Sequence, residues 1–238
     1  IGGRERTYQS WWGTPQDSLE TNRTFNYYTY KNEVDNYGQD HYQLIIAHEF
    51  DRNWNFNLNG HYTRGKGYFE QFRKEDDLSD YDLGNVIVGN DTITTSDIIR
   101  RRWLDNHFYG FTFAVNYSGK KLNATFGGGW NQYLGKHFGE VIQTEFTEYE
   151  ELNQRYYEDD ARKNDISVYI RANYQLHSKV NLFVDLQHRT IEYKFVGPEA
   201  DLFGRIETKK QSVNWHFFNP KVGFNFDLNS RNRVYTSV

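Results

Sequence analysis

The chain has 238 residues, with 28 basic and 32 acidic side chains, a formal net charge of −4, three prolines, and neither cysteine nor methionine. That balance excludes a nucleic-acid binder, which needs a basic stripe to meet phosphates, and the missing cysteine excludes disulfides and thiolate chemistry. Aromatic residues make up 18 % of the chain, led by tyrosine, as expected of a protein that sets rings at a membrane interface.

Taken in chain order, residues 1–36 begin with a Gly-Gly pair, carry Trp11, Trp12 and Pro15, and become strand-like at 25–30. They read as an outer loop feeding a first strand at 41–50. A short turn at 51–53 leads to a strand at 54–64, where Trp54, Phe56, Leu58, Gly60 and Tyr62 alternate with Asn55, Asn57, Asn59, His61 and Thr63. A strict period of two marks a strand with one apolar face. A long excursion over 65–105 follows. The pattern returns at Tyr109, Phe111, Phe113, Val115 and Tyr117, predicting a strand at 107–117. After a turn at 118–121 comes a strand at 122–133, whose polar face reads Asn123, Thr125, Gly127, Gly129 and Asn131. A second excursion covers 134–164. Ile166, Val168, Ile170, Ala172 and Tyr174 then mark a strand at 165–176, with a turn at 177–179 and a strand at 180–193. A third excursion, 195–213, precedes a strand at 215–228 carrying Val222, Phe224, Phe226 and Leu228, a turn at 229–232, and a last strand from Arg233. The turns are built from the Asn, Asp, Ser and Gly that turns prefer.

Short turns therefore alternate with long excursions, the arrangement of outer-membrane barrels, which keep short turns on the periplasmic side and long loops outside the cell. A mean hydropathy of −0.90 does not oppose this, because strands with one lipid face and one water face average to a polar composition. Ten residues from Trp54 to Thr63, rising about 3.3 Å each and tilted about 40°, span roughly 25 Å, the height of the apolar band of such barrels. The apolar faces carry almost no ionisable side chain, His48 and His188 excepted. Rings gather at both expected interfaces: Phe50, Trp54, Tyr117 and Tyr174 by the short turns, Tyr62, Tyr109 and Trp130 towards the excursions. The competing architecture is a soluble β-sandwich, which also alternates. Amide and glycine residues on the polar faces favour a water-filled lumen or a closely approaching plug, since soluble sheets prefer β-branched types there. The fold class is thus all-β, an antiparallel transmembrane β-barrel segment of about eight strands with long extracellular loops.

Specific segments carry a family resemblance. HYTRGKGYFEQF at 61–72, RRWLDNHFYG at 101–110, GGGWN at 127–131, GKHFGEV at 135–141, FNPK at 218–221 and RVYTS at 233–237 resemble barrel strands and loops of TonB-dependent outer-membrane receptors of Gram-negative bacteria. The resemblance runs from about Asp40 to the end. It implies a 22-stranded barrel, an N-terminal plug within it, and a box that engages TonB in the periplasm. No plug, box, signal peptide or closing strand is recognisable, so residues 1–238 are expected to be part of one barrel domain of a longer receptor. The expected partners are the plug and remaining strands, TonB through a region outside the chain, outer-membrane lipid and lipopolysaccharide, and a transported small molecule.

No Walker or Rossmann glycine pattern, GxSxG, HExxH or CxxC is present, so no cofactor or enzyme activity is expected. Gly127 to Gly129 read as a smooth, plug-facing patch. The acids Glu75, Asp76, Asp77, Asp80 and Asp82 lack EF-hand spacing and read as a solvated loop. Glu145, Glu148, Glu150, Glu151, Glu158 and Asp159 face only Arg155 among bases and would repel an anionic ligand. Arg100, Arg101 and Arg102 beside Trp103 could instead grip a carboxylate, sugar or chelate, contact lipopolysaccharide phosphates, or balance the acidic loops. The candidate substrate-binding residues are Tyr68, Phe69, Arg101, Arg102, Trp103, His107, His137, Tyr156 and Tyr157 in the loops, with Arg171 and Asp185 facing the lumen; no metal site is expected. Active import is the leading function. A passive porin, a structural barrel and an outer-membrane barrel enzyme are the alternatives.

Overall fold

The computed structural model describes residues 34–146, 152–200 and 206–238, and side chains within these except at 197–200 and 206–209. The strand-like stretch at 25–30 and the acids Glu148, Glu150 and Glu151 lie outside the described residues. Eight strands pair in chain order in one antiparallel sheet: β1 (Asp35–Glu49), β2 (Trp54–Asp77), β5 (Thr95–Ser118), β6 (Leu122–Thr144), β7 (Gln154–His177), β8 (Val180–Ala200), β9 (Ile206–Asp227) and β10 (Arg233–Ser237). A small hairpin, β3 (Val86–Val88) and β4 (Asp91–Ile93), sits between β2 and β5.

Strand ends at the short turns fall where the sequence puts them, and local chemistry explains why. The Asp51 carboxylate accepts the backbone N–H of Asn53 at 2.7 Å and of Trp54 at 2.9 Å. The Asn229 side chain accepts those of Arg231 and Asn232, both at 2.9 Å. Each side chain thereby closes its own turn. The opposite ends differ from expectation. β2 runs to Asp77 and not 64, β5 starts at Thr95, β6 runs to Thr144, β7 starts at Gln154, β8 runs to Ala200 and β9 starts at Ile206. Most of each excursion is therefore strand. The period-two signal needs one apolar face, and beyond the apolar band both faces become polar or aromatic. The backbone ladder continues, because its N–H and C=O groups must be paired whatever the side chains are.

Two compact units emerge. Of the described residues, the first holds 34–37, 67–104, 137–146 and 152–158, and the second 38–66, 105–136, 159–200 and 206–238. In the second, the register pairs Ile170 with Leu186 and Ala172 with Val184 across β7 and β8, and Val184 with Val222 and Leu182 with Phe224 across β8 and β9. Those residues share one face. Their neighbours Arg171, Asp185, Gln187, Asn219, Lys221 and Asn225 share the other. The apolar face remains open: Ile170 is 47 % exposed and Phe224 49 %. Among the described residues, every buried hydrophobic side chain, namely Leu78, Tyr81, Ile98, Phe138, Val141 and Ile142, belongs to the first unit.

The glycine run departs from a smooth patch. A Cβ on Gly127 would come within 2.7 Å of the Tyr169 ring and of the Phe113 carbonyl, and one on Gly128 within 3.3 Å of Phe113 and Val168 side chains. Gly127 thus makes room for a tyrosine of the neighbouring strand, which covers the position a plug would otherwise meet.

In the first unit, β2 passes into a 3-10 turn, Leu78–Tyr81, which drops Leu78 and Tyr81 (each 2 % exposed) onto Ile98 and Val141, with Leu83, Val86 and Tyr156 packed around them. Asp82 ends the turn in the left-handed region, at φ 55. The segment expected to be a solvated acidic loop is only partly that. Glu75, Asp77, Asp80 and Asp82 are exposed, whereas Asp76 turns inward to Arg73 and Tyr81.

Candidate functional site

Pairing of β2, β5, β6 and β7 in the first unit gathers rings and arginines from all four strands. Residues of one parity form a continuous stack. The Arg101 guanidinium lies 4.7 Å from the Tyr68 ring centroid. Tyr68 meets Trp103 at 4.5 Å. Trp103 stacks on Phe138 at 5.7 Å, nearly parallel at 13°. Arg155 caps Phe138 at 4.0 Å. A cation therefore closes each end of a three-ring row, a geometry favoured by the negative faces of the rings. Carboxylates fix the row from the side. Arg101 Nε donates to Glu70 Oε2 at 2.7 Å, and the Trp103 indole N–H donates to Glu140 Oε2 at 2.7 Å. Arg155 reaches Glu140 at 3.6 Å and Glu158 at 2.7 Å, so the base expected to face the acidic stretch alone is engaged by one of its members, Glu158, and by Glu140 outside it.

A second network surrounds Tyr81. Arg73 Nε donates to Asp76 Oδ2 at 2.7 Å, the Tyr81 hydroxyl donates to the same oxygen at 2.6 Å, and Arg100 Nη1 donates to Tyr81 Oη at 3.0 Å. Arg100 Nη2 also reaches Gln71 at 3.1 Å. Arg102 Nε donates to Tyr157 Oη at 3.1 Å and lies over the Phe69 and Tyr157 rings. Burial works to raise the Asp76 carboxyl, but hydrogen bonds from Arg73 and Tyr81 outweigh it and hold the group below the usual carboxylate range. Burial, reinforced by the bond to Asp76, pushes the Tyr81 hydroxyl up against the opposing charge of Arg100. Tyr156 is likewise raised, chiefly by burial. The Arg102 guanidinium is disfavoured by burial, yet its bond to Tyr157 leaves its pKa raised. The Tyr81 and Tyr156 phenols stay neutral and the Arg73 and Arg102 guanidinium groups stay charged over the physiological range.

Seven of the predicted residues lie in the first unit, in two groups of opposite strand parity: Tyr68, Arg101 and Trp103 in the stack, and Phe69, Arg102, Tyr156 and Tyr157 in and beside the second network. His137 belongs to the same unit and is exposed. His107 belongs to the second, where its Nδ1 lies 2.9 Å from the Tyr62 hydroxyl. Arg171 and Asp185 also belong to the second unit, paired at 2.9 Å on its polar face. Sequence reading missed Glu70, Arg73, Tyr81, Phe138 and Glu140. The i,i+3 spacing of Arg73 and Asp76 is the one local signal that could have revealed part of the second network. Among the described residues, no three His, Asp or Glu side chains converge as metal ligands would.

No protein-family model matches the sequence, and no curated protein matches it. Among solved structures the chain is similar to the ferric-catecholate import receptor Fiu of Escherichia coli K12, at 10 % identity and a TM-score of 0.50 over 90 % of this chain and 34 % of that one. It is also similar to the copper transporter OprC, at 10 % identity and a TM-score of 0.59 over 84 % of this chain and 30 % of that one. The chain spans about a third of the length of these structures. At such identity the likeness is one of fold: the eight strands have the fold of a segment of a transmembrane β-barrel, as the strand pattern led one to expect.

Proposed function

We propose that this chain is a stretch of the barrel wall of a TonB-dependent outer-membrane receptor, which actively imports a scarce solute. The observation that carries the reading is the absence of any buried hydrophobic side chain among the described residues of the second unit, although one face of its sheet is apolar. In water such a face would need a covering layer. Hydrocarbon supplies one, and the polar face opposite then lines an aqueous lumen, with Arg171 and Asp185 on it. Further support comes from the fold shared with Fiu and OprC, which import ferric catecholates and transport copper respectively.

In this reading the strand halves remote from the short turns are extracellular, and the first unit captures the ligand. Rings flanked by guanidinium groups suit a flat, anionic chelate that can stack and accept charged hydrogen bonds. Phe69, Arg102 and Tyr157, of the parity that continues the lumen face, are its principal contacts, with Tyr156 and His137 beside them. Tyr68, Arg101, Trp103 and His107 share the parity of Tyr62 and Tyr109 on the opposite face and would meet the ligand only as it approaches from outside. TonB, driven by the proton gradient of the inner membrane, then remodels a plug to pass the solute through the lumen.

Two measurements test this. Phe111→Trp and Phe224→Trp in the full-length protein should each be quenched by brominated acyl chains; no quenching at either site removes the membrane reading. Cells should accumulate a radiolabelled ferric tris-catecholate in a TonB-dependent manner, and planar bilayers should show no steady current. Steady open conductance would identify a passive porin instead.

A further inference from the structure

Charge is unevenly spread over the polar face of the second unit. On β2, β5 and β6 that face carries no Asp, Glu, Lys or Arg over residues 55–65, 106–116 and 123–135. Its amides there bond to one another: Asn116 Nδ2 donates to Asn55 Oδ1 at 2.8 Å, and the Thr125 hydroxyl donates to Asn116 Oδ1 at 2.8 Å. On β7, β8 and β9, over residues 161–175, 181–195 and 211–225, the same face carries Lys163, Arg171, Arg189 and Lys221 against Asp165 and Asp185.

Register sets the four cations at three levels. Arg171 and Lys221 stand on either side of Asp185 at the level nearest the short turns. Arg189 stands opposite Ser167, four residues further from the turns, and Lys163 stands opposite Tyr193, four further still. No shift in register falls between them. At about 3.3 Å per residue, successive levels lie about 13 Å apart along the strands.

Exposure gives this side of the face its sign. The Arg171 side chain is 55 % exposed and its partner Asp185 14 %, while Arg189 is 44 % exposed and its partner Asp165 16 %. Lys163 and Lys221 are exposed as well. The two carboxylates lie against the sheet and hold the guanidinium groups outward: Arg171 Nε and Nη2 donate to Asp185 Oδ2 at 3.1 and 2.9 Å, and Arg189 Nε donates to Asp165 Oδ1 at 2.8 Å. A body in the bore therefore meets cations first, four of them against two covered acids.

Resting on the import reading above, we infer that Lys163, Arg189, Arg171 and Lys221 form a ladder that passes an anionic solute along the β7–β9 side of the lumen. A spacing of about 13 Å exceeds the Debye length of about 8 Å at physiological ionic strength, so each level acts as a separate station. A guanidinium bonded to a carboxylate keeps N–H donors for a second anion, while the carboxylate offsets its charge. The anion is attracted without being trapped. Passage needs contacts of that kind, favourable enough to enter and weak enough to leave. The amide sector of β2, β5 and β6, with no such cations and with its amides bonded to one another, offers an anion no comparable attraction.

The test uses the full-length protein in cells and a radiolabelled ferric tris-catecholate, with capture by de-energised cells and TonB-dependent uptake measured separately. Lys163→Gln/Lys221→Gln removes two rungs while Asp165 and Asp185 keep their arginine partners. It should lower the maximal uptake rate about tenfold, the weight of a charge-assisted contact, and change capture affinity by less than about twofold. Lys163→Arg/Lys221→Arg should recover most of the rate. Asn59→Asp/Thr112→Asp shifts the charge of the amide sector by the same amount and should import as the parent does. An unchanged rate in the lysine-to-glutamine variant would overturn the ladder. So would loss of capture in step with uptake, which would place the lysines in the outer site, or an equal fall in the amide-sector variant, which would show an effect of overall lumen charge. Import by the parent is measured alongside: a parent that imports while the glutamine variant keeps pace sinks this inference alone, and a parent that imports nothing sinks the import reading with it.

Discussion

Trp103 connects both ends of the stacked row, so its replacement separates the contributions that hold the first unit together. Trp103→Phe keeps a ring against Tyr68 and Phe138 but removes the indole N–H that donates to Glu140 at 2.7 Å. A hydrogen bond to a charged group contributes about 1.5–3 kcal/mol. Because Arg155 still approaches Glu140 at 3.6 Å, the carboxylate is not left unpartnered and the loss falls at the lower end, about 1.5 kcal/mol. Trp103→Ala also removes two ring contacts, each contributing about 0.5–1.5 kcal/mol, for a total of about 3 kcal/mol. Barrel unfolding is commonly irreversible, which makes a global melting temperature a poor readout. Hydrogen exchange reads local opening directly. Amides in residues 98–104 and 136–144 should lose about tenfold in protection in Trp103→Phe and about a hundredfold or more in Trp103→Ala, at 1.4 kcal/mol per tenfold. Amides in residues 166–174 should be unchanged. Equal protection in both variants would show that the row is a surface coincidence with no energetic role.

Gly127→Ala should destabilise the sheet by about 1–3 kcal/mol, because its Cβ would meet Tyr169 and the Phe113 carbonyl at 2.7 Å; combining it with Tyr169→Ala should recover part of the loss, as judged by exchange of β6 amides. Arg171→Ala should change stability by about 1 kcal/mol, since the Arg171 side chain is half exposed although Asp185 is largely covered, while weakening ferric-catecholate uptake; loss of the folded protein would exclude a transport role. Because Asp76 has a lowered pKa in the fold, its contribution is complete above the ordinary carboxylate value of about 3.9 and is lost as pH falls through the folded value. Tyr81 has a raised pKa, so its contribution is complete below about 10 and is lost as pH rises towards the folded value. Protection of residues 73–81 should therefore be flat between about pH 4 and 10 and fall on both sides. In Asp76→Asn the acid limb should disappear.

What the sequence made legible depends on whether the physical cause is local. The wall strands could be read because lipid demands an apolar residue at every second position, and that demand leaves its mark within ten residues, as from Trp54 to Thr63. The turns could be read because Asp51 and Asn229 bond to their own next few backbone amides. The outer halves of β2, β5, β6 and β7 could not, since no single solvent sorts their side chains. Arg101, Trp103 and Tyr68 were visible as chemistry-bearing residues, but Glu70 and Glu140, which position them, lie 31 and 37 positions away from their partners in sequence. Only the cross-strand register brings those pairs together.

The contrast between the two units follows from one rule applied under two solvents. In the first unit an apolar side chain gains only by packing against protein, so a small core forms around Leu78, Tyr81, Ile98 and Val141, and each is exposed by 2 % or less. A 3-10 turn and a left-handed Asp82 are the local costs of bringing Leu78 and Tyr81 to it. In the second unit the same kinds of side chain gain nothing by leaving hydrocarbon, because lipid tails are as apolar as leucine. No core forms there among the described residues, and packing is achieved by rings laid on glycines and by cross-strand pairs. It follows that large-to-small changes should separate the units. Ile98→Ala should cost about 2–5 kcal/mol through an unfilled cavity, whereas Ile170→Ala, 47 % exposed and refilled by acyl chains, should cost well under half as much when the protein is held in lipid. Equal costs for the two substitutions in lipid vesicles would mean that the apolar face of β7 packs against protein, and the assignment of that face to the bilayer would then fail.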